Sequence, residues 1–260
     1  MKKQQVIVSL TSFPAAIPFA VRAIKSVLDG SVLPDKIVLY LTASQFPDGK
    51  IPFELITLEE NPIFEVKFYD EEIRSYTKLI PALKDFPDDI IITVDDDVQY
   101  NKNMMKSLLH LHKKYPDTII GHRVKRIEVD NQIKPYFTWK AYGKYRYFTR
   151  SLKPSFRNLQ TGVGGVLYPP RSLAEEMLDS KLFMKMAPTV DDIWFYAAAV
   201  ANGTKIAPVP FGFSRPHDLH KPRRMTLKKT NIHSGVDVNR TVLESIIEKY
   251  PAIKQRFEGK

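Results

Sequence analysis

The chain has 260 residues, 43% of them hydrophobic and 26% charged, which is enough apolar material for one sizeable globular domain. Lys and Arg number 39 against 29 Asp and Glu, a formal charge of +10 that favours anionic partners: phosphorylated small molecules, nucleic acid or an anionic membrane surface. The absence of cysteine excludes disulfides, thiolate zinc sites and cysteine nucleophiles, and makes a cytoplasmic location the expectation.

The opening MKKQQVIVSLTSFP carries an apolar stretch too short for the h-region of a signal peptide. No run approaches the roughly 18 apolar residues of a spanning helix, so any membrane contact is expected to be peripheral. Residues 6–10 read as a buried β-branched strand, broken by Thr11-Ser12-Phe13-Pro14. Residues 17–28 read as a helix with Ile17, Ala20, Val21, Ile24, Val27 and Leu28 on one face, closed by Gly30 and Pro34. Residues 36–41 and 64–69 are the next strands. Residues 76–86 read as a helix with Pro81 in its first turn, and 90–94 as a fourth strand. Helices are expected at 103–115, 173–178, 191–202 and 239–250, and short strands at 118–121 and 205–209. This alternation predicts an α/β fold, a mostly parallel sheet flanked by helices, with ligands bound beyond the C-terminal strand ends.

Three consecutive carboxylates, Asp95-Asp96-Asp97, follow the fourth strand. They repel one another unless a cation or hydrogen-bond donors compensate. In an extended segment Asp95 and Asp97 face one side and Asp96 the other, so the outer pair can approach one hard metal ion, Mn²⁺ or Mg²⁺. A second pair, Asp191-Asp192, opens the apolar helix DDIWFYAAAV, where carboxylates also complement the helix dipole. Thr161-Gly162-Val163-Gly164-Gly165 is no dinucleotide fingerprint, but Gly164 and Gly165 would let backbone approach a sugar closely. Trp194 either stacks on a sugar ring or packs in the core.

The strand ending in VDDDV, the opening SLTSFP and the SYTKLIPAL segment together resemble bacterial polysaccharide and lipopolysaccharide glycosyltransferases of the GT-A kind, over roughly residues 5–205. The resemblance implies a single GT-A-like domain over 1–260. Residues 1–100 would be a Rossmann-like nucleotide-binding half, 101–215 an acceptor half, and 216–260 a basic loop and C-terminal helix. It implies a UDP- or GDP-sugar donor and a glycan or lipid-linked acceptor, with no nucleic acid partner. Thr11, Lys78, Asp95 and Asp96 would contact the donor, and Asp95 and Asp97 the metal. One of His217, His220 and His233 would complete the metal shell. Asp192, or failing it Asp191, would be the general base of an inverting transfer, with Gly164, Gly165 and Trp194 on the acceptor side. The basic segment 215–229 would close over the diphosphate. The basic-aromatic segment 140–157 suits either single-stranded nucleic acid or, in a transferase, a lipid-diphosphate acceptor. Two other classes compete: a haloacid-dehalogenase-like Mg²⁺-dependent phosphatase, whose DxD motif also follows a strand, and a basic nucleic-acid-binding module, which leaves the three Asp unexplained.

Overall fold

The structure is a computed structural model that describes residues 3–141, 152–210, 217–219 and 237–258, with backbone alone at 217–218. A seven-stranded sheet runs in the order β3-β2-β1-β4-β7-β6-β8. Its strands are β1 (Val6–Ser12), β2 (Lys36–Thr42), β3 (Phe64–Tyr69), β4 (Ile90–Thr93), β6 (Ile119–Arg126), β7 (Asn158–Tyr168) and β8 (Ile206–Pro208). The pairs β1–β2, β1–β4, β2–β3 and β6–β8 are parallel. β7 is antiparallel to both its neighbours, β4 and β6. A two-stranded sheet, β5 (Val98–Gln99) with β9 (His217–Asp218), stands beyond the end of β4.

Strand alternation sorts the side chains into two cores. Ile7, Val38, Tyr40, Ile91, Val166 and Tyr168 face one layer. Val8, Leu10, Ile37, Leu39, Ile92 and Leu167 face the other. The first layer holds α5 (Ser180–Met186), α6 (Asp191–Asn202), α7 (Val238–Lys249) and α8 (Pro251–Glu258). The second holds α1 (Ile17–Leu28), α2 (Phe53–Glu59) and α4 (Met104–Lys114). α1 starts with Pro18 in its first turn, where the missing N–H costs nothing, and buries Ile17, Ala20, Ala23, Ile24 and Val27. α6 is apolar almost all round because α7 and α8 cover the side turned away from the sheet. Arg256 of α8 donates to the carbonyls of Val200 and Ala201, satisfying the last turn of α6.

Several elements differ from the sequence expectation. Residues 76–86 do not form one helix: a 3-10 turn, Arg74–Lys78, precedes α3 (Ile80–Asp85), whose first turn holds Pro81. Residues 173–178 contain only the 3-10 turn Glu175–Met177. The strand expected at 118–121 extends to Arg126. The helix expected at 239–250 is followed by α8, whose first residue is Pro251.

Candidate active site

β1 and β4 are neighbours in parallel register, Ser9 opposite Thr93, so their C-terminal ends open on the same edge of the sheet. The alternation of β4, with Ile91 towards the α6 layer and Ile92 away from it, carries on past the strand end. Asp95 follows the parity of Ile91, and its Oδ1 lies 3.0 Å from Lys78 Nζ. Asp96 follows the opposite parity and accepts a 2.6 Å bond from Ser12 Oγ. The backbone then turns at residues 96–97, so the extended alternation expected to bring Asp97 back beside Asp95 stops at Asp96. The Asp95 N–H donates to Tyr100 Oη at 2.7 Å, fixing the start of the turn.

Lys78 closes the 3-10 turn and is held from two sides. Ser9 Oγ donates to its carbonyl at 2.7 Å. Tyr76, two residues earlier, stacks on Phe183 at 4.1 Å and donates to the Ala187 carbonyl at 2.7 Å. The buried ammonium therefore points at two carboxylates far apart in the chain: Asp95, and Asp191 Oδ2 at 2.9 Å. Asp192, the next residue on α6, accepts the Gly162 N–H at 3.0 Å through Oδ1. Gly162 sits directly over the ion pairs; a β-carbon there would lie 2.8 Å from Lys78 Nζ and 3.1 Å from Asp95 Oδ1. The strand-end triple and the helix-end pair thus form one site, joined by one lysine and roofed by one glycine.

The electrostatics follow from this packing. Burial lowers the Lys78 pKa, but Asp191, Asp95 and Asp192 together outweigh it and hold the ammonium well above its ordinary value. Burial, reinforced by the Asp191 charge and only partly offset by Lys78, pushes Asp192 up to about 7. Asp192 is therefore a carboxylate poised to exchange a proton near neutrality, the condition that suits a general base.

The other expected site residues are placed differently. Gly164 and Gly165 do not face the carboxylates. A β-carbon on Gly164 would meet His122 Cβ at 2.9 Å and Arg123 N at 3.0 Å, and Gly165 adopts φ +87° against Met104. Both pack against neighbouring elements, Gly164 against β6 and Gly165 against α4. Trp194 is 0% exposed and its Nε1 donates to the Met177 carbonyl at 2.7 Å, so its ring offers no face to a sugar. Thr11 spends its hydroxyl on the Tyr40 carbonyl at 2.8 Å. The hydroxyl that reaches the triple is that of Ser12, and the glycine that meets it is Gly162. Ser12 follows Thr11 and so points to the opposite face of β1, and Gly162 lies two residues before Gly164 in β7. His217 is brought alongside the triple by backbone pairing: Gln99 is opposite His217, Val98 opposite Asp218, and the Leu219 N–H donates to the Asp97 carbonyl at 2.9 Å. His220, His233, most of 215–229, and residues 142–151 lie outside the described residues.

Oxygen donors at a strand-end turn suit a hard divalent ion. Among the described residues no group of three or more acid or imidazole side chains is assembled for a metal. One or two of these carboxylates would hold such an ion and would leave it free to take diphosphate oxygens as well. Among those residues no helix is long and apolar enough to cross a membrane.

Comparison of the whole structure with solved structures finds a mannosyltransferase from Pyrobaculum calidifontis, determined with GDP-Man and Mn²⁺. It has TM-score 0.54 and 11% identity, over 99% of this chain and 75% of that one. GalNAc-T7, determined with UDP, GalNAc and Mn²⁺, is similar at TM-score 0.55 and 13% identity, over 97% of this chain and 50% of that one. The fold is GT-A-like. This chain spans half the length of the GalNAc-T7 chain it matches. No protein-family model matches the sequence, and no curated protein is similar to it at a significant level. In this sheet β7 is antiparallel to both neighbours, and Asp95-Asp96-Asp97 follows the C-terminal end of β4.

Proposed function

We propose that the chain is a metal-dependent glycosyltransferase that moves a hexose-type sugar from a UDP- or GDP-sugar to a hydroxyl of a glycan or lipid-linked acceptor, with inversion. The observation that carries the reading is the Lys78 bridge, 3.0 Å to Asp95 and 2.9 Å to Asp191, which makes one site of the strand-end carboxylates and the start of α6. The GT-A-like fold and the nucleotide-sugar and Mn²⁺ complexes of its structural neighbours support the donor class. Asp95 and Asp97 would hold Mn²⁺ or Mg²⁺ with His217, the histidine whose backbone pairs beside the triple. When bound, the metal neutralises charge on the departing diphosphate. Asp96, held by Ser12, and the backbone at Thr11 would line the nucleoside side. Asp192 removes the proton from the acceptor hydroxyl. The acceptor oxygen bonds to the anomeric carbon as the bond from that carbon to the diphosphate breaks, and the nucleoside diphosphate leaves. Asp191 stays paired with Lys78 and holds α6 in place for this step. The +10 charge is consistent with a polysaccharide or lipopolysaccharide precursor as acceptor, met in the cytoplasm or peripherally at the inner membrane face under this proposal.

The test is calorimetric titration with UDP and GDP, in Mn²⁺ and in EDTA, on the unsubstituted protein and on Asp97→Asn. Binding of one nucleotide that is lost in EDTA and in the variant supports the reading. Nucleotide binding that ignores both treatments removes the metal from it, and absence of nucleotide binding removes the transferase.

A further inference from the structure

β6 carries two cations, Arg123 and Lys125, two residues apart in its regular segment and so on one face of the strand. Arg123 is exposed, and neither residue has a carboxylate within ion-pairing distance among the described residues. The register sets the backbone that carries them beside the site. Arg123 is opposite Thr161, whose hydroxyl donates to the Arg123 carbonyl at 3.2 Å. The residue after Thr161 is Gly162, whose N–H holds Asp192. Arg123 is thus one strand pairing and one peptide away from the anchor of the proposed base. Lys125 lies with Nζ 3.5 Å from the centroid of the Tyr136 ring. The nearby acid, Asp237, is committed elsewhere, accepting the Tyr136 N–H at 2.6 Å and the Arg240 N–H at 3.1 Å.

The same groups sense one another electrically. Burial and the neighbouring Arg123 bring Lys125 down to about 8, against the pull of Asp237 and Asp192. Burial, with the charge of Asp192 next, pushes Tyr136 up to about 12. A half-buried ammonium and an exposed guanidinium, neither in an ion pair among the described residues, beside carboxylates that already accept backbone N–H bonds, leave room for one more negative charge.

We propose that Arg123 and Lys125 form an anion subsite on the acceptor side, so that the acceptor bears a phosphate or carboxylate group close to the hydroxyl that is glycosylated. This rests on the transferase reading above. It goes beyond it in naming the acceptor's chemistry: an anionic sugar or sugar phosphate rather than a neutral glycan. Arg123 supplies a two-pronged donor fork and Lys125 a point charge steadied on the Tyr136 face.

The experiment uses the full chain with its nucleotide site filled by Mn²⁺ and the nucleoside diphosphate that binds best. Three titrants are compared by calorimetry: a methyl hexoside, its 6-phosphate and the corresponding methyl hexuronide. At least one anionic titrant should bind about tenfold or more tightly than the neutral one, and which one wins identifies the anion. The Arg123→Gln/Lys125→Met double substitution should erase the preference, the methionine keeping the contact with Tyr136. Arg123→Lys should retain part of it. Equal affinity for all three titrants, or a preference that survives the double substitution, overturns the proposal. So does a fall in nucleotide affinity in the double variant, which would assign the two cations to the donor diphosphate. Failure of the transferase reading shows separately, as absence of metal-dependent nucleotide binding by the unsubstituted protein before any glycoside is added.

Discussion

Replacing Lys78 by Met keeps most of the side-chain volume and removes only the charge. The ammonium is the counter-ion of both Asp95, at 3.0 Å, and Asp191, at 2.9 Å, and it opposes the burial of Asp192 as well. Breaking a buried pair from one side leaves an uncompensated charge and costs about 3–5 kcal/mol, far more than the net worth of a surface bridge. A chain of this size loses about 2–4 °C of Tm per kcal/mol, so the variant should melt about 6–20 °C lower near pH 8. Carboxylates stranded without a counter-charge take up protons rather than remain ionised, so the deficit should shrink towards pH 5. Melting curves of both proteins at the two pH values, followed by circular dichroism, measure this directly. A Tm loss below about 3 °C near pH 8, or the same loss at both pH values, would refute the view of Lys78 as the shared counter-ion of the site.

Asp192→Asn should reduce turnover about 10²–10⁴-fold with nucleotide affinity unchanged, as expected for loss of a general base; near-normal turnover would exclude the assignment. Because Asp192 is pushed up to about 7 in the fold, the unsubstituted enzyme should lose rate below about pH 7 as that carboxylate takes up its proton, and a pH–rate profile should show this limb. The same shift has a stability consequence. A raised carboxylate pKa stabilises the fold below the unfolded-state value, near 3.8, and that contribution is lost as pH rises through about 7. Asp192→Asn should therefore melt above the unsubstituted protein near pH 8, and the gain should fade towards pH 4. Gly162→Ala would set a methyl 2.8 Å from Lys78 Nζ and 3.1 Å from Asp95 Oδ1. Overpacking of this kind costs about 1–3 kcal/mol in denaturant unfolding, and metal-dependent nucleotide affinity should fall with it; a neutral result on both would show that the ion pairs have slack.

Much of this fold was legible because its strands are short and apolar. β3 and α6 have the bounds their sequences suggest, and β1, β2 and β4 differ by a residue or two at their ends. What stayed hidden has physical causes. α2 buries only Leu55 and Leu58, too few to make a helical stripe in seven residues. The first eight residues of β7, Asn158 to Gly165, are polar and glycine-rich, yet all but Val163 are buried, so neither alternation nor apolar content announces them. α8 begins at a proline, which reads as a stop although it is equally a start. The two carboxylate clusters were visible as clusters, but their meeting was not. Nothing in the sequence places residue 78 between residues 95 and 191, because that contact is made by the end of a 3-10 turn. The glycines at 162, 164 and 165 were indistinguishable in sequence, and Gly162 and Gly164 even share strand parity; only the packing separates them, Gly162 meeting Lys78 and Asp95, Gly164 meeting His122 and Arg123, and Gly165 meeting Met104.

The arrangement also explains why the site tolerates so much buried negative charge. Of the carboxylates at this sheet edge, four are met by three donors of different origin: Lys78 for Asp95 and Asp191, the Ser12 hydroxyl for Asp96, the Gly162 backbone N–H for Asp192. Lys78 gives a full charge to the two acids it bridges, and Asp96 and Asp192 accept neutral hydrogen bonds. Burial and the Asp191 charge push Asp192 up to about 7, and Lys78 and the Gly162 N–H offset them only in part. A stronger donor in place of the Gly162 N–H would hold the carboxylate ionised and weaken it as a base. The same local economy that leaves Asp192 partly uncompensated makes it the one acid of the four suited to take a proton from a hydroxyl.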